Sequence, residues 1–171
     1  MKAVFLGIHK LSDWLDSACG IICVVCLTAM VLVTGAQIIC RLFFEALVWS
    51  EEVSRYLLVW STFIGASCVY KRMGHINVTV IRDLFPKQVR VTLQVLVHLL
   101  CGAFFILAVY KGYEYMDGRM GRQLSAALRV PMKYFYSVIP LGFGIMFLHV
   151  VDLLLMMIPG LNKLVKEKEA A

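Results

Sequence analysis

Long apolar blocks alternate with short polar connections along this chain. Four blocks have the length of membrane-spanning helices, at about 17–40, 51–70, 91–110 and 134–158. At roughly 1.5 Å per helical residue, about twenty residues cross a hydrocarbon core of roughly 30 Å. The second block orients the others. Fifteen uncharged residues separate Arg55 from Lys71, and the turn from Glu51 to Arg55 completes the crossing. Its ends carry opposite charge: Glu51 and Glu52 stand at the N-terminal end and Lys71 and Arg72 at the C-terminal end, each where the helix dipole favours it. Glu51 and Arg55 are spaced i, i+4 and can pair along one face. Ser61 and Gly65, also four apart, give this helix a small face suited to close contact with another helix.

Ahead of the first block, Leu11, Trp14, Leu15 and Ala18 make an i, i+3, i+4, i+7 stripe. It predicts a short helix lying in the membrane interface and running into the first span. Residues 1–16 do not read as a signal peptide, because Asp13, Trp14 and Asp16 stand where a small-residue cleavage site belongs. Gly20 and Gly35 offer close approach along the first span. After the second span Gly74 is placed as a C-cap, with Met73 the last helical residue. Between Ile76 and Arg90 apolar and basic residues alternate, with Ile81, Leu84 and Phe85 at helical spacing, which predicts a second interfacial helix around residues 76 to 85. Tyr110, Tyr113 and Tyr115 form an aromatic belt closing the third span. Residues 111–133 are the longest connection, and Pro140 predicts a kink in the fourth span. The fold class is therefore all-α: one integral membrane domain of four transmembrane helices with short interfacial amphipathic helices.

Composition adds direction. The 171 residues are 61% hydrophobic and 16% charged, with a formal net charge of +6. Ten of the seventeen Lys and Arg lie in the N-terminal arm, the second connection and the tail. The positive-inside rule then puts both termini in the cytoplasm. Lys71, Arg72, His75 and Arg82 would face phospholipid headgroups there. The basic residues form no face with interleaved aromatics, so nucleic acid is not an expected partner.

The candidate chemistry is sparse. Six cysteines all fall within or at the end of spans, and Cys23-x-x-Cys26 lacks a redox loop or further polar ligands, so they read as small packing residues. His98 and His149 lie at similar depth in the third and fourth spans. They can ligate a b-type haem, making a cytochrome subunit, or hydrogen-bond across helices. Asp152 interrupts the fourth span near its inner end. A transporter acting alone should carry buried charge or paired broken helices, and little of either is present. A small homo-oligomeric exporter lacks an embedded acid to carry protons. Glu51, Glu52 and Arg55 are open to three readings: an ion-paired helix end, a polar contact between subunits, or an ion site. No hydrolytic or nucleotide-binding arrangement appears, and no metal or cofactor is expected.

The stretch W-S-E-E-V-S-R-Y-L-L-V-W-S-T-F-I-G-A-S followed by K-R-M-G-H-I-N-V resembles the small membrane subunit of the tripartite ATP-independent periplasmic (TRAP) transporters, the DctQ-like family. Glu51, Glu52, Arg55, Trp60, Gly65, Arg72, Gly74, His75, Ile76 and Val78 carry the likeness, and Pro131, Pro140 and Gly142 extend it. Thr79 departs from the acidic residue usual after that valine. The resemblance implies a non-catalytic subunit of a sodium-driven importer of organic acids, of the C4-dicarboxylate or sialic-acid type, in the bacterial inner membrane. It also implies two partners: the large membrane subunit (M component), which would carry substrate and sodium, and a periplasmic substrate-binding protein. On that footing Glu51, Glu52, Arg55, Ser61 and Gly65 are expected to meet the large subunit, and Arg119, Arg122 and Arg129 the binding protein.

Overall fold

The computed structural model describes residues 2–43, 45, 47–72 and 87–157. Five helices occur there: α1 (Lys2–Phe43), α2 (Val48–Lys71), α3 (Lys87–Gly118), α4 (Lys133–Tyr136) and α5 (Val138–Met156). Among the described residues there is no strand, and one isolated bridge pairs Leu124 with Pro131. Three stretches are long and apolar enough to cross a membrane: Leu6–Phe43, Val91–Gly118 and Lys133–Met156, the last formed by α4 and α5 together. α2 has 24 residues. Its four charged residues and its serines and tyrosines dilute its apolar character, so composition alone does not set it among the spans.

α1 is one unbroken helix of 42 residues, roughly 63 Å long, about twice a hydrocarbon core. The separate interfacial helix expected before residue 17 is therefore the first part of α1. The stripe residues Leu11 and Trp14 do face outward, while Ser12 and Cys19 turn inward. The helix runs unbroken through Asp13 and Asp16, which find cationic partners on α2.

α2 lies against α1 on one side and α5 on the other, and α5 in turn holds α3. Two apolar clusters fill these seams. One joins Cys19, Ile64, Cys68 and Val138 across α1, α2 and α5. The other joins Tyr70, Phe105, Met146, Val150 and Leu153 across α2, α3 and α5. Where α2 and α5 cross, a Cβ on Gly142 would stand 3.1 Å from Phe63 Cβ. Gly20 and Gly35, expected to admit a neighbouring helix, face open space instead. Much of the apolar surface of α1 and α3 points outward, as at Ile21, Leu32, Leu100 and Leu107.

Three boundaries differ from expectation. α2 ends at Lys71, where the Arg72 amide donates to the Cys68 carbonyl at 3.2 Å. Gly74, His75, Arg82 and the amphipathic segment 76–85 lie outside the described residues. α3 continues two turns past Tyr110 to Gly118, so the connection shortens to 119–132; no proline falls in the added turns, and Lys111 pairs with Glu114 there at 2.7 Å. The fourth apolar block breaks at Ser137, three residues before Pro140. Pro140 has no N–H to give the Tyr136 carbonyl, so the disruption falls on the preceding turn, and the proline occupies the first turn of α5, where it is tolerated.

Candidate functional site

At one end of the molecule the first turns of α2 meet the 119–132 connection. Glu51 pairs with Arg55 at 3.3 Å on the exposed side, as the spacing predicts. Glu52 turns the other way. Its Oε1 accepts hydrogen bonds from the hydroxyls of Ser125 at 2.6 Å and Tyr56 at 2.7 Å, and its Oε2 accepts from the amides of Ala127 at 2.9 Å and Leu128 at 3.2 Å. Four donors on two oxygens suit an ionised carboxylate, which only accepts. The connection itself folds as a small hairpin: the Ser125 amide donates to Val130 O at 2.9 Å, and Met132 to Gln123 O at 2.9 Å. Arg129, at its turn, has φ 53°, a left-handed conformation that costs a non-glycine residue on the order of 1 kcal/mol. Beside it Tyr56 stacks on Phe135 with ring centroids 3.6 Å apart, and Trp60 Nε1 donates to Phe135 O at 3.2 Å. Thus Trp60, midway along α2, faces α4 within the same chain.

The other predicted positions are disposed as follows. Arg119, Arg122 and Arg129 are all exposed, and none makes an ion pair with a described residue. Ser61 and Gly65 face α1: Cys23 Sγ donates to Ser61 O at 3.6 Å and sits 3.3 Å from where a Gly65 Cβ would be. That small face is in contact with α1 inside the chain. Glu52 likewise gives its carboxylate to its own loop. Of the five residues expected at a subunit interface, Glu51 and Arg55 are exposed, Glu52 and Gly65 half-buried, and Ser61 buried.

The opposite end holds a polar cluster that the sequence reading largely missed. Lys71 bonds Asp13, and Arg72 pairs with Asp16 at 3.2 Å, so these two cations are matched by α1. His9 Nδ1 lies 3.1 Å from Asp152 Oδ1, and His9 Nε2 lies 3.4 Å from Asp13. Ser12 Oγ lies 2.8 Å from His149 Nδ1, both buried. The N-terminal part of α1 and the C-terminal part of α5 therefore share one end of the molecule. Asp152 carried a signal for this, since an acid in an apolar helix needs a partner. His9 and Ser12 carried none.

His98 and His149 have different partners: His98 Nδ1 is 2.9 Å from the Tyr70 hydroxyl, and His149 Nδ1 is bonded to Ser12. Among the described residues no group of three His, Cys, Asp or Glu is placed to hold a metal ion. The six cysteines are free thiols.

Residues 30–159, most of the chain, match the family described as tripartite ATP-independent periplasmic transporters, DctQ component. The chain belongs to this family. It is accordingly a TRAP small permease component and a multi-pass membrane protein. The chain is 33% identical over 88 residues to the C4-dicarboxylate TRAP transporter small permease protein DctQ of Vibrio cholerae, covering 51% of this chain and 38% of that one. It is 29% identical over 79 residues to a putative TRAP transporter small permease protein of Haemophilus influenzae, covering 46% and 49%. A third relative, the sialic acid TRAP transporter permease protein SiaT of Haemophilus influenzae, is 28% identical over 106 residues, 61% of this chain but 16% of that longer one. The chain thus spans about half or less of the length of the curated relatives it matches. The family region takes in the whole Glu52 hub and the 119–132 hairpin. It leaves out His9, Ser12, Asp13 and Asp16.

Proposed function

We propose that this chain is the non-catalytic small subunit of a sodium-coupled TRAP transporter in the bacterial inner membrane, which imports a small organic acid handed over by a periplasmic binding protein. The observation that carries this reading is the family match over residues 30–159. Relatives named for C4-dicarboxylate and sialic acid support organic acids as the substrate class. In SiaT the matching segment is a small part of a longer permease, which supports assembly with a large M component. α2 is the fourth crossing, and both termini are cytoplasmic.

The work of the chain is mechanical on this reading. Its charged side chains, among the described residues, gather at the two ends, and Asp152 is bonded to His9. Substrate and sodium are left to the large subunit. The outward apolar faces of α1 and α3 meet lipid and the large subunit, which the fixed four-helix frame steadies while it moves. Lys71 and Arg72 stand toward the phospholipid headgroups of the cytoplasmic surface, and the 119–132 hairpin receives the binding protein through Arg119, Arg122 and Arg129. Reconstitution of the chain, its large partner and the binding protein in proteoliposomes tests this. Uptake should need all three and an inward sodium gradient; uptake undiminished without this chain, or catalysed by it alone, would contradict the proposal.

A further inference from the structure

We infer that Glu52 is a positioning residue for docking: its carboxylate fixes the 123–132 hairpin so that the arginines of the 119–132 connection present a cationic surface to an acidic patch on the soluble binding protein. The inference rests on the accessory-subunit reading above, and it reassigns Glu52 from the large-subunit interface to the outer loop.

Three observations support it. First, every donor to Glu52 is electrically neutral. Two hydroxyls and two amides take up the carboxylate, so no guanidinium is consumed in holding the loop. Second, residues 119–133 contain Arg119, Arg122, Arg129 and Lys133 and no acid. Of the nearby acids, Glu51 and Glu114 are paired with Arg55 and Lys111, and Glu52 and Asp117 set two negative charges against these four cations. Among the described residues the hairpin therefore keeps an excess of positive charge, and charge complementarity calls for an acidic partner. Third, Arg129 is held at φ 53°. The turn bonds that hold it run from residues 125–130, and Glu52 grips three of these, Ser125, Ala127 and Leu128. Without the grip the turn has a lower-energy alternative, with Arg129 in an ordinary conformation and its guanidinium redirected.

Glutamine is the discriminating replacement at position 52. It keeps the size of glutamate but offers one acceptor oxygen, and it turns an N–H₂ group toward amides that can only donate. Ser125→Ala is the milder second variant, since it keeps the carboxylate and removes one donor.

The test uses the chain co-assembled with its large membrane partner in lipid nanodiscs and the purified, fluorescently labelled binding protein of the same transporter. Glu52→Gln should weaken docking about tenfold, and Ser125→Ala less. Replacing Arg119, Arg122 and Arg129 together by Gln should weaken docking at least as much. Glu52→Gln added to that triple variant should cost less than about twofold more, since residues acting through one another are not additive. Amide exchange at Ala127 and Leu128 should rise in Glu52→Gln while α3 and α5 keep their protection. If the triple variant weakens docking but Glu52→Gln does not, or if its effect adds in full to the triple variant, the positioning role is wrong and the arginine surface stands. If the triple variant docks normally, the docking surface itself is wrong and the inference falls with it.

Discussion

The bond between Ser12 and His149 shows what single residues do at the end of the molecule that holds the histidine–aspartate cluster. Both are buried, and Ser12 Oγ at 2.8 Å is the partner of His149 Nδ1, whose Nε2 has none among the described residues. Ser12→Ala would leave both ring nitrogens unsatisfied, a loss of about 1–3 kcal/mol. The thermal midpoint of the detergent-solubilised protein should fall measurably, and an unchanged midpoint would mean that water or lipid already satisfies the ring. At this scale the sequence was only partly legible. The Glu51–Arg55 pair followed from i, i+4 spacing. Tyr56 is likewise four residues from Glu52, but the other three partners of Glu52 were not legible, because they lie 73 to 76 residues away in a turn whose shape depends on long-range contacts. Ser61 and Gly65 were legible as a small face, but spacing cannot say which helix such a face meets.

Among the elements, a close contact is the crossing of α2 and α5 at Gly142. A side chain there would run into Phe63, with a Cβ already 3.1 Å from its Cβ, whereas Gly144, two residues on, has nothing within 4 Å. Gly142→Leu should destabilise the protein by about 1–3 kcal/mol through overpacking, and Gly144→Leu should leave it near wild type. Equal melting of the two variants would show that the helices do not cross there. Periodicity and block length placed the helices well, and they failed where a tertiary partner changed the outcome. α1 takes in the segment expected as a separate interfacial helix, with Lys71 and Arg72 pairing Asp13 and Asp16. α3 passes its aromatic belt with no proline in 111–117 to stop it. The kink expected at Pro140 is a break a turn earlier, since a proline removes the bond made to the carbonyl four residues before it.

Over the whole molecule, the distribution of polarity is that of a membrane component: apolar faces outward on α1 and α3, charge at both ends, and two apolar seams inside. Much of that was legible from the blocks and their charged connections, because a bilayer restricts what a spanning segment can be. What the blocks could not tell is how the ends are tied, with a histidine–aspartate cluster at one and a carboxylate-pinned hairpin at the other. The central claim is that this chain works as the small part of a larger permease. Affinity purification of the tagged chain from its native membrane in mild detergent, with the co-purifying proteins identified and a visible spectrum taken, tests it most directly. The account predicts a colourless sample holding one large membrane protein in fixed ratio to the chain. A chain that purifies alone or as a homo-oligomer, or a sample with a Soret band, would contradict it.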